Sequence, residues 1–212
     1  HGAYPQATKD PILLGARIVT TLQTLVSREQ DPLDPAVVTV GSFIGGAKHN
    51  VIPDEAKLLL TVRSYSDETR AKLIKGIERI AKGEAMAGGF PDDKLPVVTV
   101  KDEFTPSTYN PPEFAQTMAG LLAAHFPAGR VQQVKASMGG EDFGRYYRAD
   151  KAINSFIFWV GGVPDDQYAK AQKGEISLPS LHSPFWAPQA DAVIATASEA
   201  LTVLALDILK RD

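Results

Sequence analysis

The sequence predicts a mixed α/β fold of the α+β type, divided into two domains. Residues 10–104 follow the order helix, strand, strand, helix and strand, which is the split βαβ pattern of a ferredoxin-like domain without its first strand. Residues 105–112 contain three prolines and mark the clearest domain boundary. After this boundary, the uninterrupted apolar run at 156–160 predicts a strand buried on both faces, and the C-terminal helix is expected to cover it.

The first helix is predicted from its start signal. Asp10 is able to cap free backbone N–H groups, and Pro11 occupies the first helical position, where a missing donor costs nothing. The helix is expected to end near Arg28. Apolar residues at spacings of three and four predict its buried stripe: Ile12, Ala16, Val19, Leu22 and Val26.

Two strands and a second helix are predicted next. The β-branched run 37–40, continued by Phe43 and Ile44, is typical of a strand, and the alternating residues 58–65 are typical of another. Ser66 is placed to cap a helix that ends across the glycine-containing stretch 83–89, with an apolar stripe of Ile74, Ile77 and Ile80 or Ala81. Residues 97–100 predict a further strand, and the first strand of the pattern is expected upstream of His1.

The second domain is predicted to contain helices at both ends of its chain segment. The first helix carries Phe114, Met118, Leu121 and Leu122, and a strand at 131–134 and a loop of small residues at 138–143 follow it. The stripe of the last helix is predicted to be Ile194, Ala197, Leu201, Leu204 and Ile208.

Composition excludes several classes of protein. With 212 residues, of which 44% are apolar, the chain is long and apolar enough for a folded core. The net charge of −3 gives no electrostatic attraction for nucleic acid or an anionic membrane, so neither partner is expected. No uninterrupted apolar run approaches the roughly 18 residues of a membrane span. Zero cysteines and the lack of an HExxH pair among four histidines exclude local zinc motifs.

Four groups of residues have chemistry that suits a site, and each also has a structural explanation. His182, in a loop before the last helix, is either a metal ligand or a surface residue. Arg63, near a strand end, is either a fork for a carboxylate or a solvated edge charge. Asn50, after a Gly-Gly turn, either binds a ligand or forms an Asx turn. The loop Gly139-Gly140-Glu141 combines close backbone approach with a carboxylate, or it starts a helix with an acidic residue.

Together and in this order, these motifs resemble the two-metal aminoacylase and amidohydrolase family. Its members include hippurate hydrolases, N-acyl-amino-acid hydrolases and plant auxin-conjugate hydrolases. Four segments carry the resemblance: HGAYPQATKDPI, GSFIGGAKHNVIPDEAKLLLTVRS, MGGEDFGRY and LHSPFW. The resemblance implies that residues 1–107 are a ferredoxin-like satellite domain that dimerises. It implies that residues 108–212 are the C-terminal half of an exopeptidase-like α/β catalytic domain, whose N-terminal half is expected to lie outside this sequence.

The resemblance also implies roles for particular residues. His182 corresponds to the last metal-ligand histidine of the family. His1 is expected to stabilise the developing oxyanion, and Glu141 to act beside the substrate as a polar group. Asn50 and Arg63 are expected to hold the substrate carboxylate, with the backbone of Gly139 and Gly140 forming part of the same wall.

The implied function is hydrolysis of the amide bond of N-acyl amino acids, such as N-acetyl or N-benzoyl amino acids, by a metal-activated water. Two divalent cations are expected in the complete enzyme, and zinc, manganese, nickel and cobalt all suit imidazole. Because one imidazole does not make a hydrolytic zinc site, the isolated chain is expected to be inactive. The alternative is a non-enzymatic module that dimerises or binds a ligand, although a missing first strand argues against it. A homodimer through the satellite domain and a cytoplasmic location are the remaining expectations.

Overall fold

Six α-helices and one two-stranded sheet form the regular structure of residues 1–210, the part of the chain that the computed structural model describes. The helices are α1 (Pro11–Ser27), α2 (Asp67–Ala87), α3 (Pro112–His125), α4 (Gly144–Ala149), α5 (Asp165–Gln172) and α6 (Ala190–Leu209). The strands are β1 (Ala36–Gly45) and β2 (Ala56–Ser64), and single 3₁₀ turns cover Pro5–Ala7 and Asp92–Lys94.

The chain divides into two compact units. The first unit comprises His1–Thr108 together with Ala136–Asp142, and the second comprises Tyr109–Lys135 and the chain from Phe143 onward. The short segment 136–142 therefore packs with the first unit, although it lies far beyond the proline-rich boundary. The assignment of residues 1–107 and 108–212 to a satellite and a catalytic domain stays a prediction.

Helix α1 begins as predicted, but it buries a different stripe. Asp10 Oδ1 accepts hydrogen bonds from the backbone N–H groups of Ile12 at 2.8 Å and Leu13 at 3.2 Å. Of the predicted stripe, Leu22 is buried and Val19 and Val26 are half-buried, but the prediction is wrong at Ile12 and Ala16, which are exposed. Two neighbouring stripes of this apolar helix have the same spacing, and packing on the sheet and α2 selects the second one: Leu14, Gly15, Ile18, Leu22 and Leu25.

The two predicted strands are confirmed, and they pair antiparallel. Val38 lies opposite Val62, and the register shifts by one residue between Val40 and Ser42, where Gly41 forms a bulge. The shift brings the Phe43 ring against α1, where a Cβ added to Gly15 would lie only 2.6 Å from the ring. Alternate residues of the sheet face α1 and α2 and complete the core of the first unit: Val38, Val40, Leu58, Leu60 and Val62.

Helix α2 starts at its predicted cap and ends within the predicted stretch. The Ser66 hydroxyl accepts from the Thr69 N–H at 3.0 Å. The helix continues through Gly83 and ends at Ala87, inside the stretch 83–89 that was predicted to contain its end. Tertiary contacts with α1 hold this last part, since Ala85 is fully buried and Glu84 accepts a 2.7 Å hydrogen bond from Thr21. These contacts outweigh the cost of about 1 kcal/mol that a mid-helix glycine carries.

Three predicted strands do not form: 97–100 in the first unit, and 131–134 and 156–160 in the second. A strand exists only where a neighbour pairs with its N–H and C=O groups. In the split βαβ pattern, the neighbour of segment 97–100 is the first strand, and the described residues do not supply one. The prediction failed because residue types report burial and not pairing.

The second unit has a small core between α3 and α6. The buried apolar residues are Met118 and Leu122 from α3 and Ala200 and Leu204 from α6. The predicted stripe of α6 is therefore wrong except at Leu204 and the half-buried Ala197, because α3 contacts an adjacent face of the helix. The remaining members, Ile194, Leu201 and Ile208, are exposed.

Helix α6 also corrects the sequence expectation about membrane spans. Its 20 residues have a mean hydropathy of 1.8, and among residues 1–210 it alone is long and apolar enough to cross a membrane by length and composition. A search for uninterrupted apolar runs does not find α6, because scattered Ser, Thr and acidic residues interrupt a helix that is apolar on average. The long apolar core helix of a larger domain has the same composition.

Two glycines of α2 give a matched test of the packing against α1. A Cβ on Gly76 would collide with the Cδ2 methyl of buried Leu25, whereas a Cβ on Gly83 would meet nothing within 4 Å. We expect Gly83→Ala to raise the free energy of unfolding by about 0.5–1 kcal/mol through helix propensity. Gly76→Ala is expected to lower it by about 1–3 kcal/mol through overpacking. Urea titration followed by circular dichroism measures both, and equal effects would contradict this packing.

Candidate functional site

Arg63 connects the end of β2 to the Gly-Gly loop. Its Nη1 donates a 2.6 Å hydrogen bond to the carbonyl oxygen of Met138, across 75 positions of sequence. A Cβ on Gly140 would lie 4.0 Å from the same nitrogen. Arg63 belongs to the exposed face of β2, so its guanidinium extends away from the core. Two of the predicted site motifs therefore meet within the first unit.

The Gly-Gly loop itself is held by short local hydrogen bonds. The Gly139 N–H donates to Ser137 Oγ at 3.1 Å, and the Asp142 N–H donates to Glu141 Oε1 at 2.9 Å. The Thr108 hydroxyl donates to the Glu141 carbonyl at 3.3 Å. Glu141 precedes α4 by three residues and is exposed, so its carboxylate belongs to a loop and not to a helical turn.

His1 and Asn50 lie together through their backbones. The Gly2 N–H donates to the Asn50 carbonyl at 2.8 Å, and a Cβ on Gly2 would lie only 2.9 Å from that oxygen. The His1 ring accepts at Nδ1 from the Ala3 N–H at 3.1 Å and lies 5.2 Å from the Tyr4 ring. Because Nδ1 is the acceptor, the neutral imidazole carries its proton on Nε2. Both His1 and Asn50 are exposed.

His182 lies in an exposed turn of the second unit. The turn is closed by two backbone hydrogen bonds, from Ser183 N–H to the Ser180 carbonyl at 2.9 Å and from Trp186 N–H to the Ser183 carbonyl at 3.1 Å. His125, by contrast, has a structural partner, because its Nε2 lies 2.7 Å from Glu199 Oε1 between α3 and α6.

The described residues do not by themselves fit a metal pair. Within residues 1–210, no group of three or more His, Asp or Glu side chains converges as metal ligands. A hydrolytic zinc ion is held by about three protein ligands, so His182 would supply one ligand of a larger set.

Sequence reasoning missed Ser137 and Thr108, which hold the Gly-Gly loop. Neither belongs to a motif with recognisable spacing, and Thr108 lies 33 positions from its partner. Only the tertiary structure brings these hydroxyl groups to the loop.

Comparisons with known proteins show which family and which relatives the chain resembles. The profile of the peptidase dimerisation domain M20_dimer matches residues 1–88. The chain is 37% identical over 168 residues to the putative amidohydrolase YhaA of Bacillus subtilis, covering 78% of this chain and 40% of the relative. It is 35% identical over 162 residues to N-acetyldiaminopimelate deacetylase of the same organism, covering 76% of this chain and 41% of the relative.

A solved structure shares the fold. The Bacillus subtilis YXEP protein, described as a dinuclear metal binding peptidase from the M20 family, superimposes with a TM-score of 0.64 and 25% identity. The superposition covers 96% of this chain and 47% of that protein. The chain thus spans less than half the length of the proteins it matches.

The Arg63 contact is testable without knowledge of a ligand. We expect Arg63→Met to make the amides of residues 136–142 exchange about fivefold faster with deuterium, because one hydrogen bond of about 1 kcal/mol is lost. Lys57→Met removes a charge from the same exposed face of β2 and should leave this segment unchanged. Mass-spectrometric hydrogen exchange measures both, and unchanged exchange in Arg63→Met would show that the contact does not hold the loop.

Proposed function

We propose that this chain is part of a metal-dependent N-acyl-amino-acid amidohydrolase. Its residues 1–88 match the M20 peptidase dimerisation domain, and the proteins it resembles include a putative amidohydrolase, an N-acetyldiaminopimelate deacetylase and a dinuclear metal binding peptidase. The reaction is hydrolysis of the amide bond between an acyl group, such as acetyl or benzoyl, and an amino acid. The observation that carries the proposal is the Arg63 hydrogen bond to the Met138 carbonyl. It joins a cation that suits a carboxylate to a glycine-rich loop that a substrate is able to approach closely.

We assign Arg63 and Asn50 to binding the carboxylate of the substrate's amino-acid part. A guanidinium has five N–H donors in a planar fork, and the bond to Met138 uses only one of them. Two parallel N–H donors match the two oxygens of a carboxylate. The name N-acetyldiaminopimelate deacetylase, carried by a relative at 35% identity, supports a substrate that combines an acyl amide with a carboxylate.

His1 and Glu141 are assigned to the reacting amide. The Ala3 N–H fixes the tautomer of His1, so that Nε2–H is available to donate to the oxygen of the scissile carbonyl as its charge develops. Glu141, with the Gly139 and Gly140 backbone beside it, supplies a polar wall for the substrate.

We assign a metal pair to the complete enzyme, with His182 as one of its ligands. The description of YXEP as a dinuclear metal binding peptidase supports two divalent cations, and zinc, manganese, nickel and cobalt remain the candidates. Because the described residues provide no ligand cluster, the other ligands and the general base are assigned to polypeptide that the relatives contain beyond the matched region. The isolated chain is accordingly expected to be inactive.

The alternative function is a dimerisation or ligand-binding module without catalysis. The match of residues 1–88 to a dimerisation domain and the separate core of the first unit favour it. A homodimer through the first unit is expected under both proposals, so the oligomeric state does not separate them. Measurements of hydrolysis and of metal content distinguish the two proposals.

Arg63→Met in the complete enzyme tests the substrate assignment. We expect KM for N-acetyl amino acids to rise at least about 10-fold, because the fork for the carboxylate is lost. Activity on the matching N-acetyl amines, which lack the carboxylate, should stay within about twofold of the parent enzyme. Lys57→Met is the control on the same strand. An equal loss on both kinds of substrate would mean that Arg63 supports only the structure.

His182→Ala tests the metal assignment. In the complete enzyme we expect the variant to lose at least about 100-fold in hydrolysis of N-acetyl and N-benzoyl amino acids and to retain less metal by elemental analysis. His49→Ala is the control, since His49 lies in the exposed connection between β1 and β2. If both variants keep full metal content and rate, His182 is not a ligand.

A further inference from the structure

Gly162 lies directly against the chain that follows His182. A Cβ added to Gly162 would lie 3.0 Å from Pro188 Cβ, and 3.2 Å and 3.5 Å from the Cζ2 and Cη2 atoms of the Trp186 ring. Carbon atoms in ordinary contact are about 3.5–4.0 Å apart, so the two shorter distances leave no room for a methyl group. The approach of Trp186 and Pro188, called the Gly162 contact below, therefore requires a residue without a side chain at position 162.

Gly161, one residue earlier, has no such requirement. A Cβ on Gly161 would meet no atom of the described chain within 4 Å. Neither glycine has a positive φ, so the backbone accepts alanine at both positions. The need for glycine at position 162 comes from the contact with Trp186 and Pro188 and not from the conformation of its own backbone.

The position of Gly162 is set by groups outside the His182 turn. Phe156 and Phe158 pack against the core between α3 and α6. The Asn110 amide holds the backbone of the residue between them, donating to its carbonyl at 2.8 Å and accepting from its N–H at 2.9 Å. The Gly162 carbonyl in turn accepts a 3.0 Å hydrogen bond from the N–H of Gln189, the residue before α6. Gly162 is thus anchored to the packed part of the second unit.

Two successive hydrogen bonds connect Trp186 to the backbone around His182. The Trp186 N–H donates to the Ser183 carbonyl at 3.1 Å, and the Ser183 N–H donates to the Ser180 carbonyl at 2.9 Å. Pro184 lies between these bonds and has a fixed φ, which stiffens the turn. A displacement of Trp186 therefore moves the backbone that carries His182.

We propose that Gly162 is a positioning residue, and that the Gly162 contact sets where the imidazole of His182 lies. The inference rests on the proposed function in taking His182 as the group to be positioned. Functional side chains have to be held within about 0.5 Å of their productive geometry. A methyl group on residue 162 would have to push Trp186 and Pro188 away by roughly the same 0.5 Å to restore ordinary contact distances.

Gly162→Ala and the matched control Gly161→Ala test the contact in this chain. In a Trp159→Phe background, Trp186 is the sole tryptophan, and we expect Gly162→Ala to shift its emission to longer wavelength. The amides of residues 180–186 should exchange with deuterium at least about fivefold faster, because the turn loses its support. Gly161→Ala should match the parent in both measurements. Equal changes in the two variants, or no change in Gly162→Ala, would overturn the proposal.

The same two variants of the complete enzyme test the connection to His182. We expect Gly162→Ala to lower kcat for N-acetyl amino acids at least about 10-fold and to leave KM within about twofold, because Arg63 and Asn50 are unchanged. The variant should also bind metal at least about 10-fold more weakly, measured by elemental analysis after dialysis against a chelator. An excess of the divalent cation should restore most of the rate, which a misfolded variant would not show. Gly161→Ala should keep the metal and the rate of the parent.

The outcomes separate this inference from the proposed function. Suppose that Gly162→Ala moves Trp186 but keeps kcat and metal, while His182→Ala loses both. The Gly162 contact then does not position the imidazole, and the proposed function stands. If His182→Ala also keeps both, the metal assignment is wrong, and the fluorescence and hydrogen exchange of the chain alone decide whether Gly162 positions the turn.

Discussion

Pairing of backbone groups is the constraint on which the architecture of this chain depends. β1 and β2 pair with each other and thereby give α1 and α2 a surface to pack on. The segments 97–100, 131–134 and 156–160 have the composition of strands, but they do not form strands in the described chain. A segment forms a strand only when a neighbouring strand pairs with its N–H and C=O groups, because burying these groups without partners costs free energy. The sheet is therefore small because partners are few, and not because strand-forming residues are few.

The consequence differs between the two units. The first unit has a core of ten buried apolar residues, which α1, α2 and the sheet contribute jointly. The second unit spans a similar length of chain, but its core contains four. Since burial of apolar surface is the main favourable term in folding, the second unit has much less to offset the loss of conformational entropy. Large apolar side chains such as Trp159 and Leu201 accordingly stay 68% and 58% exposed.

Local signals were sufficient for the two helices and the paired strands of the first unit, and they failed where distant residues decide, as at the predicted strand 97–100. Asp10 and Ser66 act as the predicted caps because capping depends on residues two or three positions away. In the predicted stripe of α1, Leu22 is buried but Ile12 and Ala16 are exposed, because the sheet and α2 determine which apolar side of the helix is covered. At the site, the motif residues Arg63 and Gly140 were predicted separately, whereas the bond from Arg63 to Met138 and the hydroxyl of Thr108 depend on the fold.

The bond between Arg63 and Met138 also has a meaning for recognition. A backbone carbonyl is a neutral acceptor, whereas a carboxylate carries a full negative charge and offers two oxygens to the planar fork of a guanidinium. A carboxylate that enters beside Arg63 therefore competes favourably for its donors or shares them, and the Met138 carbonyl is the partner it displaces or joins. Since that carbonyl belongs to the loop of Gly139, Gly140 and Glu141, the position of the loop depends on what Arg63 holds. Under the proposed assignment of Arg63 to the substrate carboxylate, binding of that carboxylate also positions the loop of Gly139, Gly140 and Glu141.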